Sequence, residues 1–470
     1  MKGAAMKKSY TLLLALLVVS VAGFTAAHIT LDGKKTAVKL EQTILYGDET
    51  AAEGLKATLN SIFGRNIAIA THRNFGAGAA VGTSFQYSRK VNDYTQPAET
   101  YMYIAPLAIN PGFVYGENNE ELAKYGMNKV FLNISAETKL GEQTNKTVYL
   151  HDYFDYFELW VEAYSTNGAL GYNSTEDLRL SKAISDYLRI PVPEDCWVNV
   201  QVDRRQDSPG INRSITSMSE DIPTFDNYCC ADGGNLYFAF SDATDDGKTL
   251  LDTRHIKGGY GIFRLPLGKD KNGTTQFDAD KLDTAYPLKP GTRINGLYLS
   301  KDGARLLLIT REDGGCVLTV IDIKTMTQLQ RTELFKLTDM DYPSQFRDGG
   351  NYVAATSGLG SVTLLEMQND GTYEREIASS LPAELRYTLA GDYSFAWDGE
   401  RLCLSSLMLG GSAPGEAYKG GGNTYGVMVF GAEGLRFAAV YDSSLNVDAA
   451  DTGDYYCGPR LPGGVEVGWQ

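Results

Sequence analysis

Apolar residues in most of this chain recur with a period of two, in short runs punctuated by glycine, asparagine and aspartate. Successive side chains of a strand face opposite sides of a sheet, so this alternation predicts β-strands joined by tight turns. Between His28 and Asp221 the stretches "RNIAIATH", "GTSFQYSRKV", "ETYMYIAP", "NKVFLNIS", "YFELWVEAY" and "CWVNVQVD" read as strands. "NNEELAKYG" and "TEDLRLSKAISDYL" depart from the alternation and read as short helices, the second opening on a Ser/Thr cap with early acids. The run "YTLLLALLVVSVAGFTAA" has neither alternation nor charge, and Lys2, Lys7 and Lys8 precede it. A basic flank followed by an apolar run is a targeting segment, with the N-terminus in the cytoplasm and the rest exported. The expected division is a cytoplasmic tail over 1–8, an anchor or signal over 9–27 and an extracytoplasmic region over 28–470. The run is long for a signal core and short for a comfortable span. A retained anchor and a signal cleaved near Ala27 both stay open.

The C-terminal half repeats itself. "ADGGNLYFAF" from Ala231, "KDGARLLLIT" from Lys301, "RDGGNYVAAT" from Arg347 and "WDGERLCLSS" from Trp397 align without gaps. Each places Asp-Gly in a tight turn and a large apolar residue four positions after the aspartate: Leu236, Leu306, Tyr352 and Leu402. The glycine after the aspartate, Gly303 and Gly349 among them, is expected at positive φ or in close approach to another group. A second strand follows in each, "YGIFRLPL", "CVLTVIDI", "SVTLLEMQ" and "YGVMVFGA". A third follows in two of them, "TMTQLQRTELF" and "EGLRFAAVYD". Four short strands in a unit of about fifty residues is the period of a propeller blade.

On these residues, best in "LSKDGARLLLITREDGGCVLTVIDIKTMTQLQRTELF", the chain resembles the β-propeller repeat families of the WD40 and YVTN kind. The resemblance implies an all-β chain with one ring of seven or eight four-stranded blades, three or four of them from the N-terminal half. It implies no particular activity, since propellers host many. Near the end, "DTGDYYC" looks like the strand before the second cysteine of an immunoglobulin domain. That fold needs a partner cysteine with a tryptophan between the two and a further strand after the second, but no tryptophan lies between Cys403, the nearest earlier cysteine, and Cys457, and only thirteen residues follow. A tail that helps close the ring is the expectation instead.

Composition changes this picture little. A formal charge of −15 argues against a broad cationic face for nucleic acid or anionic lipid, though not against a local basic patch. Six cysteines in a chain of 470 residues are no disulfide scaffold, and most read as buried thiols. No CxxC occurs and the four histidines lie far apart, so neither a metal nor a cofactor is expected. "GKT" at Gly247 lacks its phosphate loop, and "DATDDG" from Asp242 has its acids misplaced for calcium. "HDYFDYFELW" from His151 has the acids and aromatics of a sugar site, but its alternation favours a core strand. No hydrolase signature appears, so a non-enzyme is favoured.

Two turns are lengthened, "SDATDDGKTLLDTRHIKGG" and "MLGGSAPGEAYKGGGNT". By analogy with propellers they rise on the face of the inter-blade connections, which carry Asp283, Tyr286, Arg293, Asp339, Asp341, Tyr342, Arg386 and Tyr387. The candidate ligand-binding residues are Asp245, Asp246, His255, Asp341, Tyr342, Arg386, Tyr418 and Lys419. The function expected is a membrane-tethered binding, sensing or interaction module for a protein, peptide or glycan. The alternatives are a propeller enzyme acting on carbohydrate, which needs converging carboxylates, and a scaffold of an envelope complex.

Overall fold

The structure is a computed structural model that describes residues 2–35, 38–63, 67–76, 81–87, 100–107, 121, 124–165, 174–204, 212–220, 222–223, 225–242, 251–269, 275–338, 341–385, 393–407, 424–444 and 465–470. Apart from three α-helices among these residues the chain is all-β, and its strands gather into antiparallel meanders of the β-propeller blade type. Helix α1, Lys2–Lys35, contains the window Leu13–Thr30, which is long and apolar enough to cross a membrane (mean hydropathy 2.0) and has none of its surface buried in the protein.

The chain divides into two compact units, one drawn from residues 1–94, α1 included, 341–368 and 373–470, the other from 95–340 and 369–372. In the second unit, Asn227–Ala231, Asn235–Phe240, Gly261–Lys269 and Asp283–Pro287 form one meander, with Thr275–Phe277 paired to the far end of Gly261–Lys269. Arg293–Leu299, Arg305–Glu312, Gly315–Asp322 and Thr327–Lys336 form another, in chain order. The middle strands read as continuous apolar runs because both of their faces are covered: every residue of Gly315–Asp322 but the last is buried. The outer strand Thr327–Lys336 is mostly exposed.

Residues 100–218 do not repeat this plan. Among the described residues Thr100–Pro106 pairs only with Leu159–Ser165, and Gln143–Tyr149, Trp197–Asp203 and Asn212–Met218 make a three-stranded sheet. Helix α3, Ser174–Leu188, takes the place of a further strand beside Leu159–Ser165. Its Ser181 and Ser185 hydroxyls accept the backbone N–H groups of Val161 and Leu159, both at 2.8 Å. "NKVFLNIS" is not a strand but part of helix α2, Met127–Glu137. Met127, Val130, Phe131 and Ile134 are buried at helical spacing, which outweighs the β-branched and aromatic content. Most of "NNEELAKYG" lies outside the described residues; at its end Gly126 caps α2 and donates its N–H to Glu158 Oε2 at 2.6 Å.

In the first unit, Pro343–Asp348, Tyr352–Ser357, Ser361–Met367 and Tyr373–Ser380 form one meander. Ser394–Trp397, Leu402–Leu407, Thr424–Gly431 and Gly434–Ser443 form the next, and Leu40–Gly47 adds a fifth strand along Gly434–Ser443. The remaining sheet joins the two ends of the sequence: Val465–Trp469 is its first strand, followed by Leu55–Phe63, Ile67–Asn74 and Val81–Tyr87. "DTGDYYC" itself lies outside the described residues, but the tail beyond it closes a sheet.

The four Asp-Gly turns occupy the same place, the hairpin between first and second strands of a meander. In each, the aspartate Oδ1 accepts the backbone N–H two residues on: Gly234 at 2.8 Å, Ala304 at 3.0 Å, Gly350 at 2.7 Å and Glu400 at 2.9 Å. Gly303 takes φ +70° as expected, whereas Gly349 does not; there Gly350, at φ +103°, supplies the left-handed residue. Gly349 instead allows close approach, since a Cβ would fall 2.1 Å from Cε1 of Tyr352. Leu236, Leu306, Tyr352 and Leu402 are all buried.

Candidate functional site

In an antiparallel meander the turn from second to third strand and the connection leaving the fourth lie at the same end. In the second unit, side chains lock these two segments together at the first meander. Asp242 follows the second strand, and its Oδ1 and Oδ2 accept the N–H of Gly291 at 3.0 and 2.9 Å. Ser241 Oγ accepts the N–H of Ile294 at 2.9 Å, and the Tyr260 hydroxyl donates to Phe240 O at 2.6 Å. Desolvation pushes the Asp242 carboxyl above the usual aspartate range, although the Gly291 N–H draws it the other way. The long second-to-third connection is also tied to the end of α3: Lys257 N–H donates to Tyr187 O at 2.9 Å. Gly258, at φ +87°, brings the backbone to where a Cβ would stand 2.8 Å from the Tyr187 hydroxyl.

This framing positions an exposed group of side chains. His255 lies edge-on to Tyr156, ring centroids 6.1 Å apart, with Nε2 3.8 Å from Asp252 Oδ2. Asp252 takes both Nε and Nη2 of Arg254, at 2.8 and 2.7 Å, and the guanidinium pulls its carboxyl down to about 2. Over the Tyr156 ring, 4.4 Å from its centroid, sits the guanidinium of Arg189, which makes no hydrogen bond or ion pair among the described residues. Arg189 is the first residue past α3, and its N–H donates to Ser185 O at 2.9 Å. Its φ is +46°, in the left-handed region that favours glycine at a helix end.

Of the sequence candidates, His255 belongs to this group. Asp341 and Tyr342 lie in the first unit. Asp341 is buried, and its Oδ1 accepts the N–H of Leu359 at 2.8 Å, fastening the incoming connection to the turn after the second strand of that meander. Tyr342 is 60% exposed beside that turn, its ring where a Cβ on Gly358 would come within 2.6 Å. Asp245, Asp246, Arg386, Tyr418 and Lys419 lie outside the described residues, as do Asp339 and Tyr387. Asp283 is engaged by Arg264, and Tyr286 donates to Gln328 Oε1 at 3.3 Å.

Tyr156 and Arg189 are additions. Tyr156 lies in "HDYFDYFELW", where the strand begins only at Leu159 and the residues before it form a short 3-10 turn and a loop. Phe157, just before that strand, and Leu159 and Val161 within it belong to the core, as the alternation implies, but Trp160 is buried too, against Tyr125 and Leu178. The signal for Arg189 was available: a cation directly after an amphipathic helix and two residues before a proline marks a helix end. Among the described residues no group of three or more His, Cys, Asp or Glu side chains is placed to hold a metal.

No protein-family model matches the chain, and no curated protein matches it. Solved structures with which it aligns include a protein of Bacteroides uniformis, 10% identical, covering 82% of this chain and 95% of that one at a TM-score of 0.32. The Cps50 (Swd1) β-propeller domain of Myceliophteria thermophila is 12% identical, with coverage of 53% and 93% and a TM-score of 0.23. Hsv2 of Kluyveromyces lactis is 12% identical, with coverage of 51% and 66% and a TM-score of 0.25. At such TM-scores the fold rests on the chain's own strand order and Asp-Gly turns.

Proposed function

We propose that this chain is a membrane-tethered extracytoplasmic binding module that recognises a peptide or glycan carrying a carboxylate, through Tyr156, Arg189 and His255. The observation that supports the reading is Arg189. A non-glycine residue at positive φ is a cost of order 1 kcal/mol against glycine, retained where the side chain has a use. Here the side chain is a guanidinium with a free fork, held in place by an aromatic ring, and that geometry matches a carboxylate held by two hydrogen bonds. Tyr and Arg are also the residues that most often carry interface energy. The carbohydrate-enzyme alternative gains no support from the nearby acids, because Glu158 accepts from Gly126 and Glu162 accepts from Trp160 Nε1 at 2.9 Å. The test is Arg189→Gly, measured for both properties. Stability should rise by about 0.5–1 kcal/mol while affinity for carboxylated ligands on a peptide and glycan panel falls at least about tenfold. Unchanged affinity across that panel, or binding of neutral ligands alone, would sink the assignment.

A further inference from the structure

Four strands already complete the meander Ser394–Ser443, yet Leu40–Gly47 adds a fifth, and among the described residues no strand pairs with its outer edge. The addition is held firmly. Arg73 Nη2 donates to Glu49 Oε1 at 2.6 Å and to Gln42 Oε1 at 3.2 Å, with the guanidinium 4.8 Å over the Tyr441 ring. Gln42 Nε2 donates to the Tyr441 hydroxyl at 3.2 Å, and Lys39 N–H to Ser444 Oγ at 2.8 Å. At the far end of this strand Ile44, Leu45 and Tyr46 are 53, 38 and 44% exposed, around a register shift, with no charged residue between Glu41 and Asp48. In water such an edge invites pairing with other chains.

Its place in the sequence points to a different occupant. Helix α1 ends at Lys35 and the strand begins at Leu40, so Ile44 lies within about 30 Å of the helix end even along a fully extended chain. Apolar side chains bury at the boundary of headgroups and acyl chains and tyrosine settles at the headgroup level, and Lys39, on the chain between helix and strand, complements lipid phosphates. We infer that Ile44, Leu45 and Tyr46 dip into the headgroup region of the bilayer that α1 crosses, seating the first unit on the membrane by the edge of this strand. The inference rests on the reading of α1 as a retained anchor.

The test uses the full chain reconstituted in vesicles of phosphatidylcholine and phosphatidylglycerol. Ile44→Cys and Tyr46→Cys would each carry an environment-sensitive fluorophore, Glu374→Cys on an exposed strand of the same unit would serve as reference, and the labelled parent chain would give the background from native thiols. The expected result is blue-shifted emission at positions 44 and 46, quenched by spin-labelled lipid and shielded from iodide, with the reverse at 374. If the chain floats with the vesicles while 44 and 46 remain open to iodide, the seating is wrong and the anchor stands. Protection from iodide without lipid quenching, accompanied by cross-linking between chains at these positions, assigns the edge to a second copy and overturns the proposal. A chain that washes off the vesicles removes the anchor reading and the inference together.

Discussion

Arg401 shows how much one side chain can hold. Its Nε donates to Asp398 at 2.9 Å, its Nη1 to Ala51 O at 3.1 Å and Glu53 O at 2.9 Å, and the guanidinium lies 4.0 Å from the centroid of the Trp469 ring. It therefore joins an Asp-Gly turn, the segment before Leu55–Phe63 and the final strand. Burial raises the Asp398 carboxyl, but the Glu400 and Arg401 N–H groups and the guanidinium more than offset this and hold it below the usual range. Arg401→Ala should cost about 2–3 kcal/mol, read as a shift of the urea midpoint at constant slope, and Arg401→Lys should recover only part because an ammonium cannot reproduce the fork. Asp242 behaves in the opposite sense. Its folded carboxyl titrates above the unfolded one, so the folded state holds the proton to higher pH and stability falls as pH rises through that window. Asp242→Asn keeps an acceptor for the Gly291 N–H and removes the charge. The variant should match or exceed the parent in Tm at pH 7, with the difference closing below about pH 4. A variant markedly less stable at pH 7 would show that the charge itself is needed there.

Elements with a local cause were the ones the sequence made legible. Each Asp-Gly turn carries its own mechanism, an aspartate bonding to the next backbone donors, so four hairpins and the strands after them could be placed from residues adjacent in the chain. Helix α2 was misread because Val130, Phe131 and Ile134 suit a strand by type and a helix by spacing. The pairing of Val465–Trp469 with Leu55–Leu59 had no local signature at all, since its hydrogen bonds join residues about four hundred positions apart. Of the candidate site, His255 was legible through its lengthened turn. Arg189 and Tyr156 meet only because α3 and the loop before Leu159 fold toward it. The two turn glycines differ in a way that mutation exposes. Gly303 has open space around its missing Cβ, so Gly303→Val should cost about 1–2 kcal/mol through backbone strain alone, and Gly303→Asn much less, because asparagine tolerates the left-handed region. Gly349→Ala instead drives a methyl into the Tyr352 ring. A double-mutant cycle with Tyr352→Ala should show strong coupling at Gly349 and none at Gly303.

The first and last described strands are built into sheets of the same unit: Leu40–Gly47 along Gly434–Ser443, and Val465–Trp469 along Leu55–Phe63. Among the described residues no disulfide joins the five cysteines, and burial raises the Cys229 thiol to about 11. Closure by hydrogen bonding and packing therefore takes the place of covalent staples. A terminal strand of five residues would ordinarily fray, exchanging its amide protons at close to the rate of an unfolded chain. Here its backbone pairs along Leu55–Leu59, Trp469 Nε1 donates to Ala396 O at 3.2 Å, Gln470 N–H to Gly54 O at 2.8 Å, and Arg401 covers the Trp469 ring. Each of these contacts forms only when the sheet is complete, so the strand should open with the sheet and not ahead of it. Hydrogen exchange resolved by peptide should give Val465–Trp469 the same opening free energy as Leu55–Phe63, and Arg401→Ala should lower both together. Exchange of the tail at the free-chain rate while Leu55–Phe63 stays protected would show that the final strand is an ornament on the sheet and not its closure.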